Sequence, residues 1–126
     1  MILIFGGVYQ GKLAYALERF NLTESDVQKC DTGDADTPKN KKIIYEIDKW
    51  ILALIKKELD VEAAIQHLIN YNKDAIIICN DISCGVVPLD SVFRKWRDET
   101  GRSLAFLSRK SDEVIRLFCG LPTRIK

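Results

Sequence analysis

Met1-Ile2-Leu3-Ile4-Phe5-Gly6-Gly7-Val8-Tyr9-Gln10-Gly11-Lys12-Leu13 is the stretch on which the reading of the fold rests. Its apolar opening, short and closed by two glycines, reads as a buried parallel strand. From Leu13 onward, Leu13-Ala14-Tyr15-Ala16-Leu17-Glu18-Arg19-Phe20 follows a helical pattern. Between the two, Gly6-x-x-x-x-Gly11-Lys12 has the spacing of a phosphate-binding loop in its strand–loop–helix setting. The glycines let backbone N–H groups turn inward around phosphate oxygens. The helix N-terminus adds the positive end of its dipole, and a lysine ammonium reaches the outer phosphates. On this reading Gly6, Gly7, Val8, Tyr9, Gln10, Gly11, Lys12 and Leu13 bind a nucleotide, and Lys12 is a catalytic residue. One position departs from the motif. A Ser or Thr hydroxyl that ligates Mg²⁺ is expected after the lysine, and Leu13 has no oxygen to offer.

The rest of the chain alternates strand and helix patterns. Asp26 to Cys30 is a weak, polar strand candidate, and 31–42 is a hydrophilic loop, either mobile or facing a substrate. Ile43 to Ile47 reads as a third strand. Glu46 at its end has two open readings: a carboxylate that holds Mg²⁺ or its waters, or a strand-end residue in the cap region of the next helix. Asp48 to Lys57 and Val61 to Tyr71 carry helical apolar spacing, the second with Asp60 as N-cap. Ala75 to Cys79 is the clearest buried strand. It opens into a loop, 80–89, where sheets of this kind bind ligands, so Asn80, Asp81 and Gly85 are substrate-loop candidates. Asp90 caps a long helix with Val92, Phe93, Trp96, Leu104 and Leu107 as its buried candidates, and Gly101 marks a bend or break in it. Glu113 to Cys119 is the last long strand. Gly120-Leu121-Pro122 reads as a turn or bulge, and Thr123 to Lys126 as an edge strand. The alternation predicts an α/β fold of three layers, a mostly parallel sheet with helices on both faces, in one domain spanning 1–126.

Composition narrows the functions. A net charge of +1 points to neither nucleic acid nor an anionic membrane. No apolar run approaches the roughly 20 residues of a membrane span, and Met1 leads straight into a strand without a basic signal region. Cys30, Cys79, Cys84 and Cys119 lack the paired spacing of a zinc site. Reduced thiols in a cytoplasmic protein are the expectation. The one histidine, His67, falls within a helix and reads as a surface residue in preference to a catalytic one.

The second half of the chain carries a resemblance. Asn80-Asp81-Ile82-Ser83-Cys84-Gly85-Val86-Val87-Pro88 resembles the Asn-Glu-Val-Gly-x-Gly-Ile-Val-Pro segment of the adenosylcobinamide kinase / adenosylcobinamide-phosphate guanylyltransferase family. Arg97-Asp98-x-x-Gly101-Arg102 is a further match. Asp112-Glu113-Val114, followed by Gly120-Leu121-Pro122-Thr123-Arg124-Ile125-Lys126, is similar to the family's terminus. The resemblance implies a phosphate-loop NTPase fold of RecA-like type, an oligomer, and an enzyme of cobalamin assembly. Such an enzyme uses ATP or GTP with Mg²⁺, phosphorylates a corrinoid substrate and then transfers GMP to it. Glu46 then matches the family's strand-end acidic residue, a catalytic and Mg²⁺-binding position.

The departures from the family are specific. Leu13 replaces the hydroxyl residue, Gln10 stands where the family has Ser, and Leu104-Ala105 stand for Asn-Gln. The family's His-Arg…Arg-Pro segment carries the histidine that becomes guanylylated. Here the chain runs from Asp36 to Ile43 without a histidine, and it is shorter than typical members by about that segment. Covalent nucleotidyl transfer needs such a nucleophile, so guanylyl transfer is expected to be lost. Three functions stand open: a kinase-like enzyme, a non-catalytic nucleotide- or corrinoid-binding homologue serving as regulator or partner subunit, and a fold that has lost the site.

Overall fold

The computed structural model describes residues 1–83 and 88–126. In chain order it has β1 (Ile2–Gly6), α1 (Lys12–Arg19), a 3-10 turn at Glu24–Asp26, β2 (Val27–Lys29) and β3 (Ile43–Tyr45). These are followed by α2 (Ile47–Lys56), α3 (Val61–Tyr71), β4 (Ile76–Asn80), α4 (Ser91–Lys110), β5 (Glu113–Phe118) and β6 (Leu121–Arg124). The strands form one sheet in the order β2-β3-β4-β1-β5-β6. All neighbours are parallel except β5 and β6.

The apolar opening of the chain becomes an interior strand, paired on both sides, with Ile4 beside Ile78 and Ile115. Alternation then sorts side chains to two faces. Leu3, Ile44, Ile77 and Val114 meet Trp50, Ile51 and Leu54 of α2, Ile65 and Leu68 of α3, and Leu107 of α4. Ile4, Ile43, Ile78 and Ile115 meet Ala16 and Leu17 of α1 and Phe20 at its end. The three-layer, mostly parallel α/β architecture is the one expected.

Several details differ from the sequence expectations. Ile47 belongs to α2, because Glu46 takes a left-handed conformation (φ 61°) that ends β3 and starts the helix. α4 runs unbroken through Gly101. A Cβ there would sit 3.5 Å from Ser83 Cβ, an ordinary van der Waals contact, so the loop after β4 lies beside this point of the helix. Val92 and Phe93 are exposed, and the buried stripe of α4 contains Thr100, Ser103 and Leu107, small residues included because α4 packs closely over α2. The last turn falls at Cys119 and Gly120, both left-handed (φ 51° and 75°), the conformation that tight hairpins require. β6 therefore includes Leu121 and Pro122, and as an edge strand it tolerates the proline.

The loop 31–42 is anchored at several points. Trp50 Nε1 donates to the Ala35 carbonyl at 3.2 Å. The buried Asn72 amide donates to the carbonyls of Pro38 and Leu68, each at 2.9 Å. Asp31 Oδ1 accepts the N–H groups of Gly33 and Asp34.

Candidate nucleotide site

The first loop leaves β1 at the carboxyl end of the sheet, and its path is fixed by close packing. Gly6 has φ 154°, and a Cβ on it would lie 2.3 Å from the Leu117 carbonyl oxygen of β5. Only a hydrogen fits there. Gly11 is left-handed (φ 81°) and turns the chain into α1, so that Lys12 is the first helical residue. Tyr9, at the loop tip, is also left-handed and fully exposed. Gln10 ties the loop to the β5–β6 hairpin, its side-chain carbonyl accepting the Cys119 N–H.

Lys12 is folded inward and is only 4% exposed. Its ammonium donates to the Gly7 carbonyl at 2.6 Å. Burial lowers its pKa below the ordinary lysine value, while the nearby Asp48, Cys79 and Glu46 act in the opposite direction. A buried ammonium holding a loop carbonyl is a donor ready to be exchanged to an incoming anion.

Val8, Tyr9, Gln10, Gly11, Lys12 and Leu13 form one wall of a cleft of about 340 Å³, and Tyr45, Glu46 and Asn80 form another. Lys12, Glu46 and Asn80, far apart in sequence, thus meet at one place. The parallel pairing of β1 with β4 puts Gly6 opposite Asn80 and brings this about. Leu13 also packs into the apolar layer beneath α1. Asp81 does not line this cleft. Its N–H donates to the Gly6 carbonyl at 2.8 Å, and its carboxylate accepts the N–H and hydroxyl of Ser83 at 3.0 and 2.5 Å. Gly85 lies outside the described residues.

Three residues of the site were not singled out in the sequence. Asp48 is buried and accepts both the backbone N–H (3.0 Å) and the side-chain amide (3.2 Å) of Asn80. Burial raises its pKa, and the bonds from Asn80 oppose the rise. Lys49 Nζ stands 2.8 Å from Glu46 Oε2, and Lys29 Nζ stands 3.9 Å from the same oxygen. The pairing with Glu46 raises the Lys49 pKa. A charged residue in the first turn of an otherwise apolar helix was the available signal for Asp48, and the i,i+3 spacing from Glu46 was the signal for Lys49. Nothing local marks Lys29, which arrives through the β2–β3 register with Tyr45.

Among the described residues, His67, Cys79 and Cys30 present no nucleophile to the cleft, and Cys84 lies outside the described residues. His67 is exposed on α3 with its ring stacked 6.5 Å from Tyr71. Burial drives the Cys79 thiol well above its ordinary value and pushes Cys30 up to about 12, so both stay protonated.

A central parallel strand running through a glycine loop into a helix, with β4 separating it from β3 and its acidic end, defines a phosphate-loop fold. Residues 34–125 match the model of one family, cobinamide kinase / cobinamide phosphate guanyltransferase, and the chain belongs to that family. Membership brings nucleotide binding and the kinase and transferase chemistry of cobalamin biosynthesis, with nucleotide and corrinoid substrates. The matched segment begins after the glycine loop, so the loop's assignment rests on its own motif and geometry. No curated protein matches the chain.

The Mg²⁺ expected with the nucleotide can be tested against these donors. Mg²⁺ requires near-octahedral oxygen coordination. Leu13 supplies no oxygen, Asp48 is committed to Asn80, and the Glu46 carboxylate, whose buried Oε2 accepts no hydrogen bond, has ammonium groups at 2.8 and 3.9 Å. The set does not fit a magnesium site.

Proposed function

We propose that the protein is a nucleotide-binding member of the family whose remaining chemistry is the kinase step, with guanylyl transfer lost. The observation that carries this reading is the inward-folded Lys12 at the start of α1, facing a cleft made by the glycine loop, Glu46 and Asn80. A glycine loop at a helix N-terminus with a lysine beside it is the arrangement that takes phosphates. ATP or GTP is the nucleotide, and the hydroxyl of a corrinoid is the acceptor that the family supplies. Asn80 borders the same cleft and is the acceptor-side candidate. The loss of guanylyl transfer is supported by the missing family histidine and by the surface position of His67 on α3.

Calorimetry with ATP and GTP, followed by an assay of phosphate transfer to adenosylcobinamide, tests the proposal. Binding should weaken by about 1.5–3 kcal/mol in Lys12→Ala, the scale of a hydrogen bond to a charged group. Saturable binding without transfer selects the second reading, a non-catalytic homologue serving as regulator or partner subunit. Leu13 packed in the apolar layer and Gln10 tethered to Cys119 favour that reading. In either case residues 1–126 act as one nucleotide-binding domain. The family resemblance supports a homo-oligomer in the cytoplasm.

A further inference from the structure

We infer that the site binds its nucleotide as the metal-free polyphosphate, with Lys49 and Lys29 supplying, beside Lys12, the positive charge that a magnesium ion would bring. This rests on the nucleotide reading of the cleft and specifies its chemistry.

The argument starts from the charges at the wall formed by Tyr45, Glu46 and Asn80. Glu46 is 12% exposed, and its Oε2 carries Lys49 at 2.8 Å with Lys29 3.9 Å away. The two lysines are themselves 37% and 66% exposed, so their long stems can move a few ångströms toward the cleft. Lys12, at the start of α1, is the third ammonium of the site. Asp48 is buried with its oxygens engaged by Asn80, bonds from neutral groups that leave its charge in place. Three ammonium groups therefore stand against two carboxylates, of which only Glu46 lines the cleft. A dication entering here meets like charges and a donor set that lacks the loop hydroxyl. A polyphosphate tail meets the reverse. Its oxygens can take Lys49 and Lys29 from Glu46 as charge-assisted partners, and ammonium groups and Mg²⁺ play interchangeable roles as clamps on phosphoryl oxygens. In this arrangement Glu46 holds the two lysines in place when the cleft is empty and competes with phosphate for them. It is not a ligand to a metal.

Calorimetry with ATP and GTP, each in excess EDTA and in excess Mg²⁺, provides the test. The expected result is binding in EDTA at least as tight as in Mg²⁺. Lys49→Gln and Lys29→Gln should each weaken binding in EDTA by about tenfold, the loss of one charge-assisted bond. Glu46→Gln should leave binding unchanged or tighten it, because the competitor for the lysines is gone. Unchanged circular dichroism of these surface variants establishes that they fold. Binding that appears only with Mg²⁺ and is lost in Glu46→Gln would overturn the inference while leaving the nucleotide site intact. No binding in either buffer removes the nucleotide reading itself, and the inference with it.

Discussion

Asp48 holds Asn80 by two bonds, accepting its backbone N–H and its side-chain amide in a buried pocket between the start of α2 and the end of β4. The same residue's carbonyl accepts the Trp96 indole N–H at 2.6 Å. One residue therefore links the cleft wall to α4 and to the end of the central sheet.

Replacing Asp48 by alanine strands two buried donors. The variant should lose about 2–3 kcal/mol of stability, the cost of unsatisfied buried groups, in urea denaturation. Asp48→Asn keeps one acceptor and should lose less. The carboxyl's folded pKa is raised above its ordinary 3.8, so the folded state binds its proton more tightly than the unfolded chain does. The stability this provides is present below 3.8 and lost as pH rises through the folded value. Wild type should therefore lose stability relative to Asp48→Asn across that window. A constant difference would show that Asp48 titrates normally.

Lys12 is expected to stabilise a ligand and not the fold. Its buried ammonium makes a bond to one carbonyl, and burial depresses its pKa. Lys12→Met keeps the stem and removes the charge. Thermal melting should show a gain of about 1 kcal/mol, as when buried charges give way to apolar groups of similar size, alongside the loss of nucleotide affinity. A fall in melting temperature would mean that the ammonium is structurally required.

Gly6 and Gly120 separate close packing from backbone conformation. Gly6→Ala drives a Cβ into the Leu117 carbonyl and should cost about 3 kcal/mol, the upper range of overpacking. Gly120→Ala meets nothing within 4 Å and pays only for its left-handed φ of 75°, about 1 kcal/mol. Equal losses in denaturant midpoints would refute the distinction.

The anchored loop 31–42 should loosen when its indole bond is cut. Trp50→Phe keeps the ring in the core and leaves the Ala35 carbonyl without that donor. About 1 kcal/mol of stability should go. Limited proteolysis should become faster within 31–42, and unchanged cleavage there would show that Asn72 and the other anchors suffice.

Labelled GTP should leave the denatured protein unlabelled. Acid-labile label recovered on His67 would restore guanylyl transfer and contradict the proposed loss.

The sequence alone determined the layers and the loop. A wholly apolar strand closed by glycines can only be buried on both faces, and the spacing to Lys12 depends on local backbone geometry, so both were readable without the fold. The ends of elements were less legible. Gly101 looked like a helix breaker, yet α4 runs through it unbroken beside Ser83, a neighbour 18 positions away in the chain. Val92 and Phe93 had helical spacing but are exposed on α4. For Glu46 the decision was divided between sequence and tertiary structure. Lys49 stands three positions on, a spacing the sequence displays, and the left-handed turn into α2 brings it to the carboxylate. Lys29 arrives only through the β2–β3 register, because charges act through space and spacing along the chain does not reveal a pair so distant.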